Sequence, residues 1–457
     1  VSEQIDADHL VVGAGATGMA FTDALVDHSD ARVVIVDRRA GPGGHWREAY
    51  PFVRLHQSSA FYGVPSTLLG GGRLQDSGPE AGLQERASQT EIVEYYERAL
   101  ARLEATGRVR LITGSEYADG EVVSADGDRW TVAERTRVVD ARYLAPTIPA
   151  EVPAPFAVDG ARVVPVNDLA RLEDTPSQYV VVGSGKTATD AIVWLLQRGT
   201  DPGAITWVRP REPWMFNRAV IQPDPAVFAT MGADVWESAA HAESLDDLFL
   251  RMEAVGVMLR IDRSLTPTMA RCPTIGAWEI DLLRTVEDVV RLGHVRLAER
   301  GRLVLDGGTV EIADDALVVH CAASGLQIPP LVPVWRPEAI TLQPIRAGFP
   351  CFGAALVGYV EATRDDDAEK NRLCPPSHYG NTLADWVEMN LLGTRATAAF
   401  TSEPDVKAWA DSVALYPSRV PEGYPPSPVL DAARERLAAY TARGMERAAE
   451  LVAAARL

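Results

Sequence analysis

Two glycine-rich turns are the places in this chain where residue types and spacing could do chemistry. The first is Gly13-x-Gly15-x-x-Gly18, which follows the apolar run His9–Val12 and opens a stretch of alternating small and apolar residues. At such a turn the first glycine permits the tight bend. The second lets a pyrophosphate approach the backbone, and the third lets helix and strand pack closely. From Ala16 the helix start would offer free N–H groups and a positive dipole end to phosphate. A second apolar run ends in Asp37, with Arg38 beside it. An acid about 20 residues beyond the last glycine is placed to hold ribose hydroxyls. With strand, turn, helix and acid in this order, the segment reads as a dinucleotide site rather than a chance glycine turn in an α/β domain.

The second turn is Gly183-x-Gly185-x-x-Ala188, again between an apolar run and a helical pattern, with Lys186 and Thr187 inside it. The Gly-Lys-Thr triplet suggests a P-loop, but that motif needs another glycine where this chain has Val180, so the P-loop reading fails. Lys186 is placed either to touch phosphate or to be solvated at a helix start. The strand that follows ends in Arg209, with Arg211 close behind. A guanidinium at that strand end suits a 2′-phosphate and favours NADP over NAD, while the plainer alternative is a solvated strand end. Two dinucleotide folds in one chain imply electron traffic between a tightly held flavin and a visiting nicotinamide.

Downstream of Asp37 lies "GPGGHWREAYPFVRLHQSS", dense in glycine, aromatic and histidine residues. Taken with Gly13, Gly15, Gly18 and Asp37, this stretch resembles the FAD-binding half of the flavin-containing and Baeyer–Villiger monooxygenases. "GSGKTATDA" and "WVRPREPW" are similar to that family's NADP motif and arginine-bearing strand end. "DALVVHCAASGL" is similar to its late return to the FAD domain. The resemblance implies that Gly44, His45, Trp46 and Gln57 line the flavin and that Gly325 belongs to the late motif. It also implies that His56 stands near the flavin edge as hydrogen-bond donor or proton shuttle, the alternative being a core histidine satisfied by backbone. By the same resemblance Arg54 is a candidate catalytic residue that contacts flavin or NADP phosphate, the alternative being a pair with an acid. Trp46 and Tyr50 would pack rather than react. Two departures accompany it. Pro165 stands about where the family's fingerprint histidine falls, and proline neither donates nor titrates. His56 stands where the flavin-containing members often carry asparagine.

The elements that must position these residues are α/β. Two Rossmann-like dinucleotide-binding domains are expected: a discontinuous FAD domain over 1–155 and 315–457, and an inserted NADP domain over 156–314. A helical insertion at about 220–290 is too long for a Rossmann loop and would roof the cleft or simply embellish the packing. A β-hairpin is expected around Asp306-Gly307-Gly308. The helix opened by Asn381, Thr382 and Asp385 would, by the resemblance, aim its N-terminus at the flavin pyrimidine. A closing helix ends the chain.

The chain has 457 residues, 47% hydrophobic, with 44 basic and 63 acidic residues for a formal charge of −19. That balance argues against nucleic acid or an anionic membrane as main partner. Cys272, Cys321, Cys351 and Cys374 form no zinc or redox spacing and read as reduced thiols. No uninterrupted apolar run approaches membrane-spanning length, and a soluble cytoplasmic protein without a bound metal is expected. Self-association is left open. The leading expectation is an FAD-dependent monooxygenase that takes electrons from NADPH and uses O2 on a small organic substrate. Two alternatives stand beside it: a flavin oxidase or dehydrogenase with a remodelled nicotinamide site, and a non-catalytic flavin- or nucleotide-sensing protein.

Overall fold

The computed structural model describes residues 3–322, 327–346 and 348–456; Gly325 lies outside them. The valine-rich runs His9–Val12 and Val33–Val36 are almost wholly buried, which suits central strands of a parallel sheet covered on both faces. They form such a sheet, in the order Ile340–Thr341, Arg137–Asp140, His9–Val12, Val33–Val36, Val109–Ile112. A second parallel sheet runs Arg162–Pro165, Leu317–His320, Tyr179–Val182, Ile205–Val208, Val289–Val290. The strand Leu317–His320 is internal to this second sheet. The chain therefore rejoins the first sheet only after His320, through Ile340–Thr341.

Each parallel sheet carries a four-stranded companion. Beside the first lie Glu3–Ile5, Arg129–Val132, Glu121–Ser124 and Ser115–Ala118. Beside the second lie Ala157–Asp159, Val295–Glu299, Arg302–Leu305 and Gly308–Glu311, whose last two strands close the hairpin expected at Asp306-Gly307-Gly308. The molecule is thus two copies of one architectural idea, each with its own apolar core.

The segment expected as a helical insertion is only partly helical. It contains the helices Pro225–His241 and Leu245–Ala254. It also contributes Met258–Arg260 and Met269–Ile275 to a three-stranded sheet on Pro213–Asn217. The closing helix, Pro428–Ala455, lies along Pro225–His241. Gly444 makes the contact possible, since a Cβ there would stand 2.3 Å from the Trp236 carbonyl oxygen. Among the described residues, no helix is long and apolar enough to cross a membrane. All four cysteines are free thiols.

Candidate functional site: two adjoining clefts

The first cleft opens at the end of the first parallel sheet and measures about 590 Å³. Gly13 bends there with φ +114°, a conformation that side-chain-bearing residues avoid. Gly18 is required for a different reason: a Cβ would sit 1.9 Å from the Gly13 carbonyl oxygen. Gly15, Ala16 and Gly44 line the cleft, and the Gly44 backbone crosses directly beside Gly15.

Asp37 also lines this cleft, but its carboxylate is already part of the turn. Oδ2 accepts from the Ala14 N–H at 2.7 Å and Oδ1 from the Arg39 N–H at 2.8 Å. A carboxylate has about four acceptor directions, so capacity remains for ribose hydroxyls. Arg38, at the cleft rim, pairs with Glu151 at 2.7 Å. Trp46 packs rather than opens to solvent: its Nε1–H donates to the Tyr62 hydroxyl at 2.6 Å, and its ring leans on His45. Burial, then the nearby Arg39 charge, pushes the His45 pKa down to about 4, so this ring is neutral near pH 7. Tyr50 donates to Asp190 at 2.8 Å and ties the cleft floor to the second Rossmann helix.

His56 lines the cleft. Burial first, then the charges of Lys186 and Arg218, push its pKa down to about 3. Its Nδ1 accepts from the Thr274 N–H at 3.2 Å, which puts the ring proton on Nε2. The ring is therefore neutral and held by a backbone amide, the contact that the alternative of a backbone-satisfied histidine describes. Arg54 is exposed; its Nη1 donates to the Arg86 carbonyl at 3.0 Å while the side chain borders the cleft. Gln57 is buried against the same cavity.

The second cleft, about 870 Å³, opens at the end of the second sheet. Gly183 takes φ +145°, Gly185 and Thr187 line the opening, and the fully buried Ala188 packs the helix onto the turn. Here the structure corrects two expectations. The Arg209 guanidinium lies over the Trp207 ring, 4.1 Å from its centre, and its Nε donates to Glu212 at 3.0 Å. Buried and already paired, it is not offered to a 2′-phosphate. Lys186 is likewise taken: it pairs with Asp190 and with Glu279, the latter at 3.2 Å. Burial alone would raise the Glu279 pKa, yet Lys186 and Arg218 outweigh it and hold the carboxyl down at about 2.

The free cations are elsewhere. Arg211 lines the second cleft, as expected, together with Arg271, which the sequence gave no reason to choose. Arg271 Nη1 lies 3.8 Å from where a Cβ on Gly185 would stand, directly over the phosphate-type turn. Its Nε is buried without a partner, as is the hydroxyl of Ser184 inside the turn. Burial, then Arg211, lowers the Arg271 pKa, the signature of two like charges facing one space. Orphaned donors of this kind around a helix N-terminus fit a phosphate-bearing ligand.

Pro165 ends an edge strand and caps the short helix Val166–Arg171. From that helix Asn167 reaches the second cleft and donates to the Glu48 carbonyl at 2.7 Å. A further correction concerns the late helices. Thr382 and Asp385 do form a capping box, but the helix they open, Leu383–Phe400, starts beside the second cleft, which Gly380 and Asn381 line. The residues that start a helix at the first cleft are Gly348 and Pro350, before and at the head of Pro350–Thr363.

The two clefts share a wall that includes His45, Trp46, Tyr50, Val53, Lys186 and Cys272. Cys272 is inert there, because burial pushes its thiol pKa up to about 12. His45 is neutral near pH 7 and Lys186 is paired with Asp190 and Glu279, so ligands in the two clefts would meet across packed side chains and one paired lysine.

Residues 11–64 match the family model of an NAD(P)-binding Rossmann-like domain. Over 420 residues the chain is 41% identical to the uncharacterized protein Rv2000 of Mycobacterium tuberculosis strain H37Rv, spanning 91% of this chain and 78% of the relative. The same identity and coverage hold for the uncharacterized protein Mb2023 of Mycobacterium bovis. Among solved structures, a cyclohexanone monooxygenase from Rhodococcus sp. Phi1 bound to NADP+ is 15% identical, with a TM-score of 0.46 over 97% of this chain and 98% of that one. An oxidized steroid monooxygenase bound to NADP is 15% identical, with a TM-score of 0.48 over 78% and 86%.

Proposed function

The chain belongs to one family with these mycobacterial proteins, and we propose that it is an FAD-dependent oxidoreductase that takes electrons from NADPH and uses O2 to oxygenate a small organic substrate. One observation carries this reading: two dinucleotide-type clefts, each at the mouth of its own parallel sheet, share a wall of packed side chains. Bound FAD supplies the hydride acceptance and the reaction with oxygen that no side chain can perform.

The chain's part is binding, orientation and exclusion of water. In the first cleft the Gly13–Gly18 turn and the helix from Ala16 receive the FAD diphosphate, Asp37 the ribose, and Trp46 and Gln57 the ring. His56 Nε2–H is a neutral donor towards the ring. Its depressed pKa means it holds its proton in place without exchanging charge near neutrality. In the second cleft Arg271, Arg211 and the Ser184 hydroxyl receive the phosphates of NADPH. Each charge-assisted contact of that kind contributes about 1.5–3 kcal/mol.

A flavin oxidase or dehydrogenase is the second reading, and Pro165 favours it, since the loop before the second turn cannot supply a titrating fingerprint side chain there. Oxygen uptake by FAD-loaded protein with NADPH, then NADH, across small amines, sulfides and ketones, separates the two. Substrate-dependent uptake matched by an oxygenated product supports the monooxygenase. Uptake that yields only hydrogen peroxide with every compound supports the oxidase.

A further inference from the structure

Arg346, partly buried, shares with Arg271 the lack of an acidic partner among the described residues. The wholly buried Arg218 is met by Glu80 and by Glu279, the latter at 2.7 Å, and Arg209 is met by Glu212. Arg346 has no such partner among the described residues. Its Nε is buried without a hydrogen bond, and the nearest ionisable group acting on it is the Tyr416 phenol. A chain with 63 acidic residues has placed none of them here. A desolvated guanidinium without a counterion is costly unless something arriving from outside completes it.

Its surroundings define what could arrive. Arg346 lines a small cavity of about 40 Å³. That is a little more than one water's share of liquid, about 30 Å³, room for a single small group rather than a whole molecule. The cavity continues into the first cleft, because Gln57, Cys272 and Gly348 border both. Its other walls are apolar: Phe216, Ile221, Phe228, Met231, Phe349 and Met389. Phe228 and Phe349 meet edge to face at 5.8 Å. Gln57, Thr274 and Asn390 are the other polar side chains; the Thr274 hydroxyl donates to the His56 carbonyl and the Asn390 amide N–H to the Trp386 carbonyl.

We infer that the substrate is an apolar carboxylic acid, its carboxylate seated on Arg346 and its hydrocarbon or aryl body held between the Phe228–Phe349 wall and the flavin cleft. This rests on the proposed function, because it uses the first cleft as the flavin's. The insertion then has a role in recognition: Phe228 and Met231 come from its first helix, Pro225–His241.

Calorimetric titration with 3-phenylpropanoate, and in parallel with its uncharged amide, tests the inference on FAD-loaded protein. The acid should bind and the amide should bind at least about tenfold more weakly, the worth of a charge-assisted pair. Arg346→Met should remove that preference and Arg346→Lys restore part of it. Asn390→Asp offers a check that leaves Arg346 in place: it supplies an internal carboxylate and should expel the acid while sparing the amide. Equal binding of acid and amide by the unaltered protein overturns the inference. So does an Arg346→Met variant that keeps the preference. A flavin midpoint potential that moves in Arg346→Lys while acid binding does not would assign the guanidinium to the flavin instead. Failure of the functional reading looks different: the protein would then retain no FAD, whatever the calorimetry shows.

Discussion

The two halves of this molecule share a glycine turn and the order of four of their five strands, yet they treat charge at the strand end in opposite ways. In the first half Asp37 is built into the turn, its carboxylate fastened to the Ala14 and Arg39 amides. In the second half the equivalent region ends in Arg209, and that cation is withdrawn onto Trp207 and Glu212. Of the guanidiniums that line the second cleft, Arg296 is paired with Asp306, while Arg211 in the following loop and Arg271 from the inserted sheet meet no acid among the described residues. The difference teaches that one turn is completed by its own chain segment and the other by tertiary contact. A site of the first kind is pre-organised and suits a resident cofactor. A site with orphaned donors over its turn suits a ligand that comes and goes.

The comparison breaks most visibly at Gly18. Gly18→Val should abolish FAD retention, because even a methyl would stand 1.9 Å from the Gly13 oxygen. Ala188→Gly, at the matching position of the second turn, should leave FAD content unchanged, which flavin absorbance after gel filtration will read. Next in size is Arg271→Ala. We expect the KM for NADPH to rise by roughly tenfold or more, the value of one charged contact, with FAD content intact and the effect shrinking as salt rises. Arg209→Met should act differently, lowering thermal stability by removing one of the two guanidiniums on Glu212 while Arg291 remains.

The smallest effect concerns His56. The unfolded chain takes up a proton on this ring near pH 6.5, which the folded chain refuses until about pH 3. Between those values the unfolded state binds more protons, so stability falls as pH falls through that window. His56→Gln removes this dependence. The variant's Tm relative to the unaltered protein should therefore improve between pH 7 and pH 5, by scanning calorimetry. An unchanged difference across that range would mean that the ring ionises freely in the fold.

What the sequence made legible was local. The glycine turns, the strand ending in Asp37, the Asp306–Gly308 hairpin and the Thr382–Asp385 cap each depend on residues a few positions apart, and the structure has all of them. The misreadings at Arg209 and Lys186 also had local signals. Glu212 follows Arg209 at three residues in the loop between two strands, and Asp190 follows Lys186 at four on one helix, where side chains at that spacing meet. Arg271, Ser184, Asn167 and Arg346 had no such signal. Arg271 reaches Gly185 only because Met269–Ile275 pairs beside Pro213–Asn217, a contact between segments far apart in sequence. The absence of a counterion at Arg346 is a property of the folded surroundings alone.

The central claim is that a nicotinamide in the second cleft passes electrons to a flavin in the first across their common wall. Anaerobic mixing of the FAD-loaded protein with NADPH, followed through the visible flavin absorption in a stopped-flow spectrometer, addresses it directly. The account requires the flavin to bleach, and to bleach more slowly at limiting NADPH in Arg271→Ala. Flavin that stays bound and oxidised in the presence of both NADPH and NADH would contradict it.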